Sequence, residues 1–324
     1  MRAPRLLRRL TLVAGLGAAV ALGLALAANL PATLETLARF PPGLLPVIIG
    51  AILVNYGLRF AKWQLYLRRL DIPLPAGQSL LVFLAGFTMS ITPGKLGEVL
   101  KAFLVRDLAG TEVGRTASVV MAERLTDVAG LLVLSLLGAT VLPFGGVLLT
   151  VVAAGLAVAV LALRTRWLGE ALHRLVARAP RRARLAGALG LFLGAGRTLL
   201  APGILTGTVA LSVVSWFFEC LAFHVILQGL GLPTSLPVAT FLYAFASLAG
   251  AVSMLPGGLG VAEGSLTGLL VALGTPLPEA AAATLLVRAV TLWLAVGIGT
   301  TTLVWAFRGG PSPAGEGPSP RMLS

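Results

Sequence analysis

The chain has 324 residues, of which 57% are hydrophobic and 11% charged, far below the roughly one quarter charged residues of a soluble domain. This composition excludes a soluble enzyme and leaves no room for a soluble catalytic domain beside the apolar runs. The net charge of +13 would suggest nucleic acid in a soluble protein. Here the basic residues cluster in a few loops beside apolar runs, the positive-inside pattern of a polytopic membrane protein.

In chain order, "MRAPRLLRRL" precedes an apolar run from Leu10 to Ala28. Ala25-Leu26-Ala27 resembles a signal-peptidase site. The run is nevertheless longer than a usual signal core, so an uncleaved first span with a cytoplasmic N-terminus is expected. Span two, Leu44 to Phe60, delivers Arg59, Lys62, Arg68 and Arg69 to the same side; Asn55, Tyr56, Arg59, Lys62 and Trp63 read either as a cytoplasmic vestibule or as an ordinary interface anchor. Span three begins near Arg115 and ends at the "LPFGG" turn, and span four returns by Leu163. It lands in "RTRWLGEALHRLVARAPRRAR", with seven arginines against one glutamate. Leu185 to Ala201 reads as an interfacial helix within a basic cytoplasmic region at 164–203. Spans five (Ile204 to Leu230) and six (Ala281 to Phe307) follow, and 308–324 is a Pro/Gly/Ser-rich, disordered cytoplasmic tail.

Two segments fall outside this count, Gln78 to Leu104 and Leu236 to Leu273. Each holds two short apolar stretches joined by a Pro-Gly break, the lengths of re-entrant or buried helices. The expected fold is all-α: six full transmembrane helices plus two oppositely oriented helical hairpins, re-entrant or crossing twice. Residues 1–307 form one integral membrane domain.

The breaks resemble each other. Pro93-Gly94 aligns with Pro256-Gly257, Gly97 with Gly260, Gly110-Thr111 with Gly274-Thr275, and Arg124 with Arg288. Units entering from opposite faces would make an inverted-topology repeat, a hallmark of transporters with a midplane site. Arg124 lies nine residues past Arg115, and Arg288 nine past Glu279, so each sits about 13 to 14 Å into a hydrocarbon layer of about 30 Å. Arginine at that depth requires a partner or a wet cavity. Glu123 and Asp127 flank Arg124 on its own helix, while Glu263 and Glu219 are the candidate partners of Arg288. These arginines read either as buried ion pairs holding the bundle together or as ligands for an anion. Half-helix N-termini after Gly97 and Gly260 favour the second, because they would present free N–H groups suited to phosphate.

The stretches "TPGKLGEVLKAFLV", "ERLTDVAGLL" and "PGGLGVAEGSLTGLLVALGTP" resemble the lysylphosphatidylglycerol synthase transmembrane-region family, the flippase-like integral membrane proteins, over about Val47 to Phe307. In the best-known members this domain moves an aminoacylated phospholipid between leaflets and a separate soluble domain makes it. The resemblance carries over Thr92, Pro93, Gly94, Gly97, Glu98, Glu123, Arg124, Asp127, Pro256, Gly257, Gly258, Gly260, Glu263 and Arg288. Lys95 could add a phosphate contact or simply snorkel from a hairpin tip. The implied activity is movement of an anionic phospholipid or polyprenyl-phosphate-linked lipid in the cell membrane, without the aminoacyl-transferase step. An embedded transferase, with Glu98 and Asp107 as its acid or base, and a scaffold for a lipid-modifying synthase or glycosyltransferase are the rival readings. With no nucleotide loop, movement would be downhill, ion-coupled or partner-driven. No cofactor, metal or nucleic acid is expected; the single cysteine, Cys220, reads as packing.

Overall fold

The computed structural model describes residues 3–92, 98–136, 145–165 and 183–307. Pro93, Gly94, Lys95 and Gly97, the basic stretch through 166–182 and the tail from 308 lie outside them. Every regular element among the described residues is helical.

Helix α1 (Ala3–Ala27) meets α2 (Leu30–Ala38) at a bend of 102°. The corner is Asn29, at φ 73°, whose side chain accepts from the Ala32 amide. Helix α3 (Leu45–Arg69) leads through a short loop to α4 (Ala76–Gly86), which tightens into a 3₁₀ turn over Phe87–Ile91. Beyond the first break come α5 (Leu100–Ala109) and α6 (Val113–Leu136). The second half contains α7 (Gly145–Arg164), α8 (Ala183–Leu199), α9 (Pro202–Gly229) and α10 (Leu236–Val252). A 3₁₀ turn, Pro256–Gly258, then precedes α11 (Val261–Ala272) and α12 (Leu277–Arg288). A π turn over Ala289–Trp293 joins α12 to α13 (Leu294–Phe307) without interruption.

Among the described residues the helices α1–α6 and α7–α12 follow a similar order, and some local geometry recurs with it. After α3, Asp71 takes φ 48° and Ile72 N–H bonds to Leu67 O at 3.0 Å; after α9, Gly231 takes φ 72° and Leu232 N–H bonds to Leu227 O at 2.9 Å. Both are Schellman caps, which turn the chain sharply and satisfy the last carbonyls. Left-handed Gly110 and Gly274 likewise end α5 and α11. Packing repeats too. Helices α3 and α9 lie against each other, α5 packs on α6 as α11 does on α12, and α7 and α8 cover α6 as α1 and α2 cover α12.

Three helical segments are long and apolar enough to span a bilayer, Pro42–Arg69, Pro202–Gly229 and Leu277–Ala306, and the bent α1–α2 pair is a fourth candidate. Helix α6 has the length, at 24 residues, but carries Arg115, Glu123, Arg124 and Asp127. Two expected boundaries shift. Span two continues helically to Arg69, because nothing in "AKWQLYLRR" breaks a helix. Leu30–Ala38, for which the sequence offered no separate element, is helical. Helix α8, expected at an interface, packs along α6 with Leu193, Leu199 and Leu200 buried. Outward-facing Val47, Leu53, Val151, Val158 and Val214 are exposed, as suits helices whose surrounding solvent is hydrocarbon.

Close packing at one glycine ties the two halves together. A Cβ on Gly299 of α13 would overlap the backbone nitrogen of Thr88 in the first 3₁₀ turn, whereas one on Gly297 would meet nothing within 4 Å. Gly299→Ala is therefore expected to destabilise the detergent-solubilised protein by about 1 to 3 kcal/mol. Gly297→Ala should leave its melting temperature unchanged; equal melting of both variants would contradict this contact.

Candidate functional site

The Phe87–Ile91 turn, which leads into the first break, packs on the Pro256–Gly258 turn of the second. Gly257, Gly258 and Gly260 all hold positive φ (62°, 68° and 85°), a run that only glycine adopts without strain. Gly258 also lets the chain pass against Gly250 of α10, where a Cβ would come within 3.0 Å of the Gly250 Cα.

Beside these turns lies a cavity of about 260 Å³, into which α6 brings Arg124 and α12 brings Arg288. Its other charged lining residues are Arg59 of α3, Asp127 of α6 and Glu219 of α9. The lining itself thus carries three guanidinium groups and two carboxylates.

The two arginines are held alike. Arg288 Nε donates to Glu263 Oε1 at 2.6 Å and its Nη2 donates to the Gly257 carbonyl at 2.8 Å. Arg124 Nη2 lies 3.2 Å from Glu98 Oε2 and 3.2 Å from Asp127 Oδ2. In each half, then, a glutamate just after the break is the counter-ion of the long-helix arginine. Arg124 Nε is buried with no hydrogen-bond partner among the described residues, and the arginine side chains keep 19% and 16% of their surface open.

Glu219 accepts from the Tyr243 hydroxyl at 2.7 Å, and it shares the cavity lining with Arg288. Glu123 belongs to the neighbouring buried cluster, paired with Lys101 at 2.5 Å. Lys101 also lies 3.8 Å from Glu98 and 4.5 Å from the centre of the Trp63 ring. At the helix end after Gly260, the Gly260 N–H donates to Glu263 Oε2 at 2.7 Å, so a glutamate at the third helical position reaches back to the residue that starts its helix.

The expected interface anchor is corrected outright. Asn55, Tyr56, Arg59, Lys62 and Trp63 are all buried. Asn55 bonds to the Ser215 carbonyl at 2.7 Å. Lys62 Nζ contacts Asp127 Oδ1 at 2.5 Å and Ser212 Oγ at 2.6 Å. Arg59 is packed between the rings of Phe87 and Trp216, at 5.5 and 5.7 Å, an arrangement suited to a desolvated guanidinium. The signal was present in the spacing: 55, 59, 62 and 66 recur at three to four residues, one face of a helix. Lys101, near the N-terminal end of its short helix, carried no comparable mark.

Residues 12–299 match the family described as the lysylphosphatidylglycerol synthase TM region. The chain belongs to this family. An 89-residue stretch is also 35% identical to a UPF0104 membrane protein of Methanothermobacter thermautotrophicus, covering 28% of this chain and 27% of that relative. The family match takes in α1 as well as both breaks, so the covering helices and the central cavity belong to one lysylphosphatidylglycerol synthase TM region. No group of three or more His, Cys, Asp or Glu side chains among the described residues could hold a metal ion.

Proposed function

We propose that this lysylphosphatidylglycerol synthase TM region carries an anionic, phosphate-bearing lipid between membrane leaflets, its head group passing through the cavity between the two halves. The observation that carries this reading is that Arg124 and Arg288, from equivalent helices, open onto one cavity together with Arg59. Glu98 and Glu263 hold the arginines in the resting site, and the lipid phosphate exchanges with them. Bidentate recognition of phosphate is what the planar guanidinium supplies.

In this reading α1, α3, α6, α7, α9 and the α12–α13 rod cross the cell membrane, with both termini cytoplasmic. Hairpins α4–α5 and α10–α11 enter from opposite faces as an inverted repeat; the recurring caps and packing support that arrangement. The substrate is a phospholipid or a polyprenyl-phosphate-linked lipid, and the natural partner is a synthase or glycosyltransferase that builds its head group. The chain itself acts as a carrier, not as an enzyme.

The test is leaflet exchange in proteoliposomes of phosphatidylcholine containing a trace of head-group-labelled phosphatidylglycerol or labelled polyprenyl phosphate. The protein should accelerate exchange of at least one of them. Arg124→Lys, which keeps the charge and loses the fork, should slow it severalfold with no loss of folded protein. Exchange of every lipid at the rate of protein-free vesicles would end the proposal.

A further inference from the structure

A second recess of about 350 Å³ lies between α1, α2 and α12, lined by Val20, Ala21, Leu37, Leu285, Leu286 and Trp293. Its inner wall is the Arg288–Glu263 pair, and Arg288 also lines the central cavity. Arg288 thus lines both the cavity that holds the other arginines and an apolar recess behind it. Beside it, Leu259 and Leu292 pack with Ile91, and Val20 and Trp293 close over them.

We infer that this recess holds a hydrocarbon chain of the lipid whose head group occupies the central cavity. The inference rests on the carrier reading and specifies its substrate as a lipid bound by both ends, not a free phosphate compound. Water is a poor occupant, since an ordered water needs two to four polar partners and, among the described residues, the charged groups at this wall already pair with each other at 2.6 Å. Hydrocarbon is the occupant that a bilayer supplies. The recess is also shaped by two local irregularities. The π turn begins at Ala289, directly after Arg288, and includes Trp293; such turns re-aim side chains and recur at functional sites. Opposite, Gly17 has no side chain, and a Cβ there would overlap the Trp293 indole. Together they seat the indole against α1 at the edge of the recess.

The experiment uses the full chain in phosphatidylcholine vesicles containing phosphatidylglycerol with a photoreactive diazirine at mid-chain, followed by peptide mapping. Adducts are expected on the peptides bearing Val20–Ala21 and Leu285–Leu286, severalfold above those on the outward-facing Val151 and Val158 of α7. Filling the recess with Ala21→Trp should remove them while leaving the α7 background; Leu37→Trp serves if the first variant does not elute as a monodisperse protein. Uniform labelling of all outward-facing helices would mean ordinary surrounding lipid and overturn the inference. Equal labelling by a phosphatidylcholine probe would overturn the link to Arg288. Labelling of the recess in a protein that exchanges no lipid would uphold the chain site and refute the carrier reading. Exchange without such labelling would do the reverse.

Discussion

Arg288→Ala is expected to lower the unfolding free energy in detergent by about 3 to 5 kcal/mol, and adding Glu263→Ala to return most of that loss while lipid exchange stays abolished. The stability arm follows from burial. Glu263 keeps only 6% of its side-chain surface and bonds to Arg288 Nε at 2.6 Å, so the single change strands a carboxylate in the bundle. The double change removes that charge but also the Gly260 cap, a residual cost of about 1 kcal/mol. The exchange arm separates the two roles of the arginine. A purely structural ion pair predicts a working double variant; a head-group ligand predicts a folded, inactive one. Normal exchange by the double variant would remove Arg288 from the binding site.

Lys62→Met should be comparably damaging, costing about 3 to 5 kcal/mol, because the ammonium is the nearest partner of Asp127 and is itself 1% exposed. A snorkelling interface lysine would instead cost within about 0.5 kcal/mol. With Lys62 gone, Asp127 has Arg124 as its remaining close cation, so the arginine is drawn from the cavity and exchange falls as well. Pairing the change with Asp127→Leu should recover the stability. Chemical denaturation of both variants beside the parent decides the matter, and an unaltered midpoint for Lys62→Met would show that the buried pair contributes nothing.

The breaks and the two arginines were legible because they violate their surroundings: Pro-Gly interrupts a helical run, and a charge nine residues into an apolar segment has nowhere innocuous to go. Lys62 and Lys101 broke no such rule. Each lies close enough to a loop to pass as an interface charge; for Lys62 the one mark was its place on the 55, 59, 62 and 66 face of α3, and for Lys101 only tertiary packing shows that its helix end is turned inward. The similarity between the two halves was legible only from the breaks onward, since glycine at positive φ and a partly buried, ion-paired arginine are hard to replace. The aliphatic faces of α1–α4 and α7–α10 can exchange one apolar residue for another, and they keep the architecture without visible similarity. The π turn after Arg288 leaves no compositional trace, being a change in hydrogen-bond register within an unbroken apolar stretch.

The crossed covering of the halves has a consequence for biogenesis. Helices α1 and α2 are made first but lie on α12, which begins at Leu277. At synthesis rates of about 5 to 20 residues per second, some 12 to 50 seconds separate α2 from its partner. Through that interval the N-terminal pair sits in the translocon or lipid without its final neighbour, while α6 waits a shorter time for α7 and α8. A ribosome stalled before α12 therefore leaves a nascent chain with both covering helices undocked, and this is the state that a membrane quality-control protease would meet.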